Sequence, residues 1–164
     1  MEGILQAIVY YRQTPRRSLI LKIHTVEPLK SIFGSYSVTA FPANHAPAMG
    51  AVLYAVQSDG HTVFYGTDTA ALPEETWRAF HQHKFLFDVV ILDHTYGPNQ
   101  SGSDHLSAHQ VIDHVNRMRD EGLLDPNARA FATHVGHEGN PAHPELGRIR
   151  QAEWLRSRIR WPCS

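Results

Sequence analysis

Three residues that can bind a metal, His45, Asp68 and His134, each come shortly after a run of β-forming residues. The runs are closed by proline, glycine or threonine, so each residue should lie where a strand gives way to a loop. Imidazole and carboxylate groups suit zinc, manganese or iron, and a carboxylate can bridge two metals. Each residue alone is better explained as structural, since a strand-end aspartate caps a turn more often than it binds metal. Taken together, the three predict a metal site.

Asp93 and His94 form a second candidate group at the end of another apolar run. The run Phe87–Leu92 shows no alternation, which is typical of a strand buried on both faces. In open sheets covered by helices, functional groups collect beyond the carboxyl ends of such strands. Asp93 could therefore orient a metal-bound histidine through its second ring nitrogen. The equally weighted alternative is that both residues only stabilise the following loop.

The order of three motifs carries a family resemblance. Phe-Pro-Ala-Asn-His (41–45), Tyr-Gly-Thr-Asp-Thr (65–69) and Ala-Thr-His-Val-Gly-His-Glu (132–138) resemble the later metal motifs of the metallo-β-lactamase-fold hydrolases. The resemblance is to the phosphodiesterase branch, which includes phosphoribosyl cyclic phosphate phosphodiesterases and, more distantly, tRNA 3′-processing ribonucleases. It covers roughly residues 36–146 and rests mainly on the order of the motifs.

The resemblance implies a role for several residues. His45 and His134 would each ligate one metal, and Asp68 would bridge two. His105, in Ser-Asp-His-Leu-Ser (103–107), would be the catalytic group that acts on the phosphate or the leaving group. His137 would support a ligand or face the substrate.

The signature that opens such enzymes is missing from the sequence. An early His-x-His-x-Asp-His supplies most of their metal ligands and the acidic residue that handles the attacking water. The one His-x-His here, His81-Gln82-His83, follows Asp68 and has Phe85 where the aspartate should be. His81 and His83 fall on a predicted helix and point in different directions, so they are read as surface residues. The resemblance therefore implies the C-terminal half of such an enzyme, either a fragment or a chain that has lost the full site.

Composition is that of an ordinary soluble domain with excess histidine. The 164 residues suffice for one domain, and a net charge of −1 gives no general attraction to nucleic acid or membranes. The single cysteine, Cys163, excludes an intrachain disulfide, and neither a signal peptide nor a membrane-spanning run is recognisable. A cytoplasmic location and no membrane partner are expected. Nine of the 12 histidines come after residue 80, which is consistent with a metal or proton-transfer site.

Two local signals predict the elements around Asp68. Ala51–Gln57 and His61–Tyr65 flank an Asp59-Gly60 pair, which indicates a tight hairpin with Asp68 at its exit. Leu72–Phe85 predicts a helix, with a proline in its first turn followed by two glutamates that suit the helix dipole.

A capping box predicts the second helix. Ser107 and Gln110 have the required spacing, so His105 precedes the helix and lies in a loop where it can meet a substrate. The Gly- and Asn-rich residues 96–104 are expected to form a mobile loop over the site. The helix carries two further histidines that are expected to be exposed or partly packed, His109 and His114.

The C-terminal part should contain one more strand and a basic tail. A turn at Asp125-Pro126-Asn127 is expected before the strand that ends at His134. From Glu145 onwards five arginines are interspersed with apolar residues, which predicts a basic amphipathic helix. RNA binding by this tail is the alternative to a solvated face, which is the commoner use of such charges.

The predicted fold is one α/β (α+β) domain over residues 1–164, with a motif-bearing core at 36–146 and a divergent basic tail at 147–164. It would be the C-terminal half of an αββα sandwich, a mixed sheet with helices on one face. The other face would normally pack on the missing half, and an exposed apolar face of that size is an association site. A homodimer, an unstable chain or a partner chain that supplies the missing half is therefore expected.

The predicted function is metal-dependent hydrolysis by activated water, with one or two Zn²⁺ or Mn²⁺ ions and a small phosphodiester or cyclic nucleotide-like phosphate as substrate. His45, Asp68 and His134 alone would suit a single catalytic zinc, which usually has three protein ligands and a water. The alternative is a non-catalytic remnant or assembly module that retains part of the metal site. The missing signature favours this alternative, whereas the persistence of the candidate ligands favours the enzyme.

Overall fold

A computed structural model describes residues 6–13, 19–26, 31–33, 35–46, 50–97, 100, 102–136 and 139–141, with the backbone alone in the first three ranges. These residues form eight strands and two helices. The elements in chain order are β1 (Gln6–Gln13), β2 (Leu19–Val26), β3 (Ser31–Phe33), β4 (Tyr36–Pro42), β5 (Val52–Ser58), β6 (His61–Gly66), α1 (Glu74–Gln82), β7 (Phe87–Asp93), α2 (Ala108–Asp120) and β8 (Leu124–Thr133). The predicted basic tail at 147–164 lies outside the described residues.

The strands form a two-stranded sheet and a mixed six-stranded sheet. β1 pairs with β2, and the larger sheet has the order β3-β4-β5-β6-β7-β8. Its pairs are antiparallel from β3 to β6 and parallel from β6 to β8. Each parallel connection contains a helix, as a crossover between parallel strands requires. The prediction of an α/β fold with a mixed sheet is confirmed.

The β5–β6 hairpin forms at the predicted turn. Asp59 and Gly60 have φ angles of 51° and 80°, and Ser58 pairs with His61 across the turn. Two successive positive φ angles are what the tight hairpin turns favoured by Asp-Gly require. Two residues beyond the end of β6, the chain reaches Asp68.

Both helices begin near their predicted starts. Pro73 is the residue that caps α1 rather than a member of its first turn. Ser107 caps α2 through the full capping box, because its hydroxyl accepts a hydrogen bond from the Gln110 amide while the Gln110 side chain accepts one from the Ser107 amide. His105 therefore lies before the helix, as predicted.

A core of aromatic and aliphatic side chains joins both helices to one face of the large sheet. The sheet contributes Phe41, Leu53, Phe64, Val90 and Leu92, α1 contributes Trp77 and Phe80, and α2 contributes Val111, Val115 and Met118. The prediction that the helices lie on one face is confirmed.

Phe80 lies at the centre of this core, and its loss should strongly destabilise the fold. Its ring centroid is 5.1 Å from the centroids of Phe41, Phe64 and Phe87, and the side chain is fully buried. We expect Phe80→Ala to lower the free energy of unfolding by about 3–5 kcal/mol. Leu86→Ala is the control, since Leu86 is 47% exposed, and it should change the free energy by about 0.5 kcal/mol or less. Urea unfolding measures both, and equal effects would contradict this view of the core.

The turn expected at residues 125–127 is an irregularity inside β8. The pairing register jumps from Phe87–Leu124 to Val89–Arg129, so β8 holds extra residues that face no partner. The Asn127 amide donates to the Asp125 side chain at 2.8 Å, a local bond that takes the place of a ladder bond. The predicted end of β8 was right to within one residue. Its predicted start was wrong, because β8 lies last in the described sheet and such a strand tolerates a proline in a bulge.

The second face of the large sheet is apolar and only partly buried. This open face comprises side chains of β5 to β8 that alternate with the core residues, namely Val52, Tyr54, Val56, Val63, Tyr65, Val89, Ile91 and Phe131. The prediction that β7 is buried on both faces was wrong, because Val89 and Ile91 point away from the described helices and keep partial exposure. None of the described helices is long and apolar enough to cross a lipid bilayer.

The open face makes the predicted self-association measurable. We expect light scattering to report a dimer of the purified chain, because a contiguous apolar face favours contact with another apolar surface over contact with water. Val63→Arg, in the middle of the face, should shift the protein towards monomer, whereas Leu86→Arg, outside the strands, should not. A monodisperse, stable wild-type monomer would contradict the prediction.

Candidate metal centre

The candidate residues meet at one edge of the sheet. Asp93 ends β7, His134 directly follows β8, and Asp68 lies two residues beyond β6. These three strands are parallel neighbours, so their carboxyl ends lie side by side. This is the edge at which open α/β sheets carry their functional groups.

Four side chains converge there to form a cluster with the chemistry of a metal site. Asp68, Asp93, His105 and His134 each offer one ligand atom, and these atoms all lie within 4.8 Å of one another. Asp93 is fully buried and His105 is half-buried, whereas Asp68 and His134 are exposed. The cluster therefore has a buried acidic floor and a rim that solvent or a substrate can reach.

Asp93 is fixed by three hydrogen bonds. Its Oδ1 accepts from the amide and the hydroxyl of Thr95, each at 2.9 Å, and its Oδ2 lies 2.8 Å from Nδ1 of His105. The contact with Thr95 stabilises the following loop, and the contact with His105 orients an imidazole. The loop-stabilising role suggested for Asp93 thus has a contact in the structure, whereas its role in orienting a metal-bound histidine stays a prediction.

The hydrogen bonds assign the ring protons of three histidines. Nδ1 of His45 lies 2.9 Å from the carbonyl oxygen of Asp104, and Nδ1 of His105 faces the Asp93 carboxylate. Oxygens of this kind only accept, so each Nδ1 carries a proton, and in the neutral ring each Nε2 then carries the lone pair. Nδ1 of His134 lies 2.7 Å from the Thr95 hydroxyl, whose proton is directed to Asp93. The tautomer in which Nδ1 is protonated is the one that leaves Nε2 for a metal.

The donor atoms fit a divalent transition metal. Nε2 of His134 and Oδ1 of Asp68 lie 3.3 Å apart, and in this tautomer both present lone pairs. Two such atoms repel each other unless a proton or a cation is shared between them. Zinc and manganese are usually bound by histidine nitrogens and carboxylate oxygens whose orientation is fixed by further hydrogen bonds.

The backbone is strained at two candidate ligands. Asp68 has a φ of 53° and His134 a φ of 58°. Both lie in the left-handed region, which residues other than glycine seldom adopt. Such conformations cost of the order of 1–3 kcal/mol and persist where the surroundings enforce them. Here they turn the two side chains towards the same point.

The His45 loop is tied to the Asp68 loop. The Asn44 amide donates to the Thr69 hydroxyl at 3.0 Å, the Ala70 amide donates to the Asn44 carbonyl at 3.0 Å, and the Asn44 side chain donates to the Ala71 carbonyl at 3.2 Å. The His45 ring centroid consequently lies 4.7 Å from that of His105. His45 is beside the cluster but is not one of its four members, so its role as a ligand stays a prediction.

The comparisons with known proteins identify the superfamily of the chain. Residues 3–135 match the β-lactamase superfamily domain. The chain belongs to this superfamily. No functionally curated protein matches the sequence significantly.

Two solved structures are similar to parts of this superfamily member, and the first of them has the same fold. The metallo-β-lactamase fold protein YhfI from Bacillus subtilis is 17% identical, with a TM-score of 0.55 over 77% of this chain and 48% of that chain. A protein named "Putative metal-dependent hydrolase" from Parabacteroides distasonis is also 17% identical, with a TM-score of 0.44 over 76% of this chain and 49% of that chain. The chain therefore spans about half the length of these structures.

Two other predicted site residues of this β-lactamase superfamily chain lie apart from the cluster or outside the described part. His94 is buried, and its amide donates to the Thr133 carbonyl at 2.8 Å. It is not one of the four members of the cluster. His137 lies outside the described residues. The roles predicted for both stay predictions.

Two further histidines are structural or exposed. His114 is buried, accepts from the Leu72 amide at 3.0 Å and donates through Nδ1 to the Gln110 carbonyl at 2.6 Å. Burial lowers its pKa, so it stays neutral and joins α2 to the start of α1. The sequence predicted that His114 is exposed or partly packed. An isolated histidine on a helix does not reveal a partner such as Leu72, which is 42 positions away. His109 is exposed, as expected.

The described part of the loop over the cluster is anchored. The Tyr96 hydroxyl donates to Asp104 at 2.9 Å, which lowers the pKa of Asp104 and raises that of Tyr96. The Tyr96 amide donates to the Leu106 carbonyl, and the Ala108 amide donates to the Tyr96 carbonyl. These bonds anchor both ends of the predicted mobile loop and so position His105 in the cluster.

Sequence reasoning missed Thr95 and Asn140. Thr95 contacts both Asp93 and His134 through its hydroxyl, and Asn140 donates to the carbonyls of Thr95 and Gly136 at 2.9 Å each. The only sequence signal was the position of Thr95 at the end of a buried strand, which does not reveal its partners.

Proposed function

We propose that this chain carries part of a metal site for the hydrolysis of phosphodiester bonds. The observation that supports it best is the convergence of Asp68, His105 and His134 on one point above the buried Asp93. Asp68 and His134 are the proposed ligands, with His45, whose ring centroid lies 4.7 Å from that of His105, as a proposed ligand of a second ion. His105 is the proposed group that acts on the substrate.

A Zn²⁺ or Mn²⁺ ion held by these residues supplies Lewis-acid activation of water and compensates the negative charge of a phosphate. His105 has its Nδ1 proton committed to Asp93, so Nε2 is the atom that exchanges a proton with the substrate. The Asp93 carboxylate stabilises the positive charge when that nitrogen is protonated. From Nε2, His105 can deliver a proton to the leaving oxygen.

Two features support phosphodiesters as the substrate class. The first is the resemblance of the three motifs to the phosphodiesterase branch of the metallo-β-lactamase fold. The second is the place of His105, whose side chain is 12% exposed and lies beside two exposed candidate ligands, next to the rim at which a phosphate could bind. Small or cyclic nucleotide-like phosphodiesters are the proposed substrates.

The first experiment measures metal and hydrolysis in the same preparation. The chain is purified without a histidine tag, exposed to Zn²⁺ or Mn²⁺ and desalted. Elemental analysis should then find one or two equivalents per chain, and the loaded protein should cleave bis(4-nitrophenyl) phosphate while the chelator-treated protein should not. Absence of bound metal overturns the proposal.

A non-catalytic remnant or assembly module is the second candidate. The observation that favours it is the absence of His-x-His-x-Asp-His from these 164 residues. It predicts that metal binds without hydrolysis, or that neither occurs. A chain that binds metal and turns over no phosphodiester would support this candidate.

A further inference from the structure

We propose that Thr95 is a positioning residue that fixes the tautomer of His134 and couples it to the Asp93–His105 pair. The inference rests on the proposed function, because it concerns the same cluster. It assigns a role to a side chain that offers no ligand atom to the cluster. Its evidence is the set of hydrogen-bond partners that surround the hydroxyl.

The hydroxyl of Thr95 has one proton to donate and two neighbours within hydrogen-bond distance. Oδ1 of Asp93 is 2.9 Å away and Nδ1 of His134 is 2.7 Å away. Oδ1 of Asp93 also receives the Thr95 amide, so it is an acceptor and takes the hydroxyl proton. Oγ1 of Thr95 must then accept from His134, which places a proton on Nδ1 and leaves the lone pair on Nε2.

The result is one continuous chain of hydrogen bonds. It runs from His134 through Thr95 to Asp93, and from the other oxygen of Asp93 to His105. The rings of the two histidines are stacked with centroids 5.1 Å apart. A single carboxylate therefore sets the tautomer of both imidazoles, directly for His105 and through Thr95 for His134.

The Asn140 side chain and a close contact at Gly136 hold the backbone of Thr95 in place. Asn140 donates to the carbonyls of Thr95 and Gly136, which lies two residues after His134. A Cβ atom at Gly136 would lie 2.8 Å from the Thr95 carbonyl oxygen. The two segments are therefore too close for a residue larger than glycine to fit at position 136 without a shift. The loop after β7 and the loop after β8 are thus clamped together with the hydroxyl between them.

The test compares two substitutions of Thr95. Thr95→Val keeps the shape and removes the hydroxyl, whereas Thr95→Ser keeps the hydroxyl. Imidazole ¹⁵N shifts of His134 are recorded on chelator-treated protein at about pH 8, above the ordinary histidine pKa of about 6.5. All variants carry Asp68→Gly, which removes the carboxylate 3.3 Å from Nε2 of His134 that would otherwise draw a proton to that nitrogen in the absence of metal. Asp68→Gly alone and together with Thr95→Ser should show the tautomer with the proton on Nδ1, and together with Thr95→Val it should show a mixture with the other tautomer.

Zn²⁺ titration provides the second readout. Thr95→Val should weaken Zn²⁺ binding by about 10–100-fold, the effect typical of removing a hydrogen-bond partner of a metal ligand, and Thr95→Ser should restore it. Because the ¹⁵N measurement needs neither metal nor turnover, it tests Thr95 even if the proposed function fails. A His134 with its proton on Nε2 in the Asp68→Gly protein overturns the inference, and so does a tautomer that stays unchanged when Thr95→Val is added.

Discussion

Asp68→Asn is expected to lower the metal affinity of the chain by more than about 100-fold. Removing a hydrogen-bond partner of a metal ligand lowers metal affinity by about 10–100-fold, and removing the charged ligand itself should lower it more. Asparagine is nearly the same size and tolerates a positive φ, such as the 53° of Asp68, so the fold should persist. Competition with a chromophoric chelator measures the affinity, and elemental analysis measures the bound metal.

Asp59→Asn is a matched control for this substitution. Asp59 is also an exposed aspartate with a positive φ, 51°, but it lies in the β5–β6 turn. It should leave metal content and stability close to those of the wild type. If Asp68→Asn retained the wild-type affinity, Asp68 would not be a ligand and the proposed site would be wrong.

His105→Asn is expected to slow hydrolysis by about 10²–10⁴-fold, the usual contribution of a positioned acid or base. The asparagine amide can still donate to Oδ2 of Asp93, which accepts from Nδ1 of His105 at 2.8 Å in the wild type. The buried carboxylate is therefore not left without its partner, and the proton-exchanging Nε2 is the group removed. The measurement is the turnover number for a model phosphodiester at saturating metal.

Metal content separates two roles for His105. A residue that acts on the substrate can be lost while bound metal stays nearly constant, whereas a ligand cannot. His109→Asn, on the exposed side of α2, should change neither quantity. Loss of metal together with turnover in His105→Asn would make His105 a ligand and contradict its proposed role.

The sequence predicted the elements whose signals are local. The Asp59-Gly60 turn, the Ser107 capping box and the strand ends before Asp93 and His134 depend on residues within a few positions of one another. Such signals act through backbone φ angles and nearby hydrogen bonds, so they can be recognised without knowledge of the fold. They were sufficient to predict individual strands and helices, whereas the mixed sheet was expected from the family resemblance.

The missed features depend on contacts between distant segments. Thr95 and His134 are 39 positions apart, and they meet because β7 and β8 are paired in one register that aligns Asp93 with Thr133. The bulge in β8 changes that register by several residues. No local pattern reports its size, so the partners of Thr95 could not be predicted from the sequence.

The left-handed backbone at Asp68 and His134 has a consequence for how such a chain would change over evolutionary time. Glycine adopts this conformation without strain, so a use for the side chains opposes the replacement of Asp68 and His134 by glycine. A lineage released from that use should accept glycine there before its buried core changes. The identities of these two residues would then record when selection for the chemistry ended.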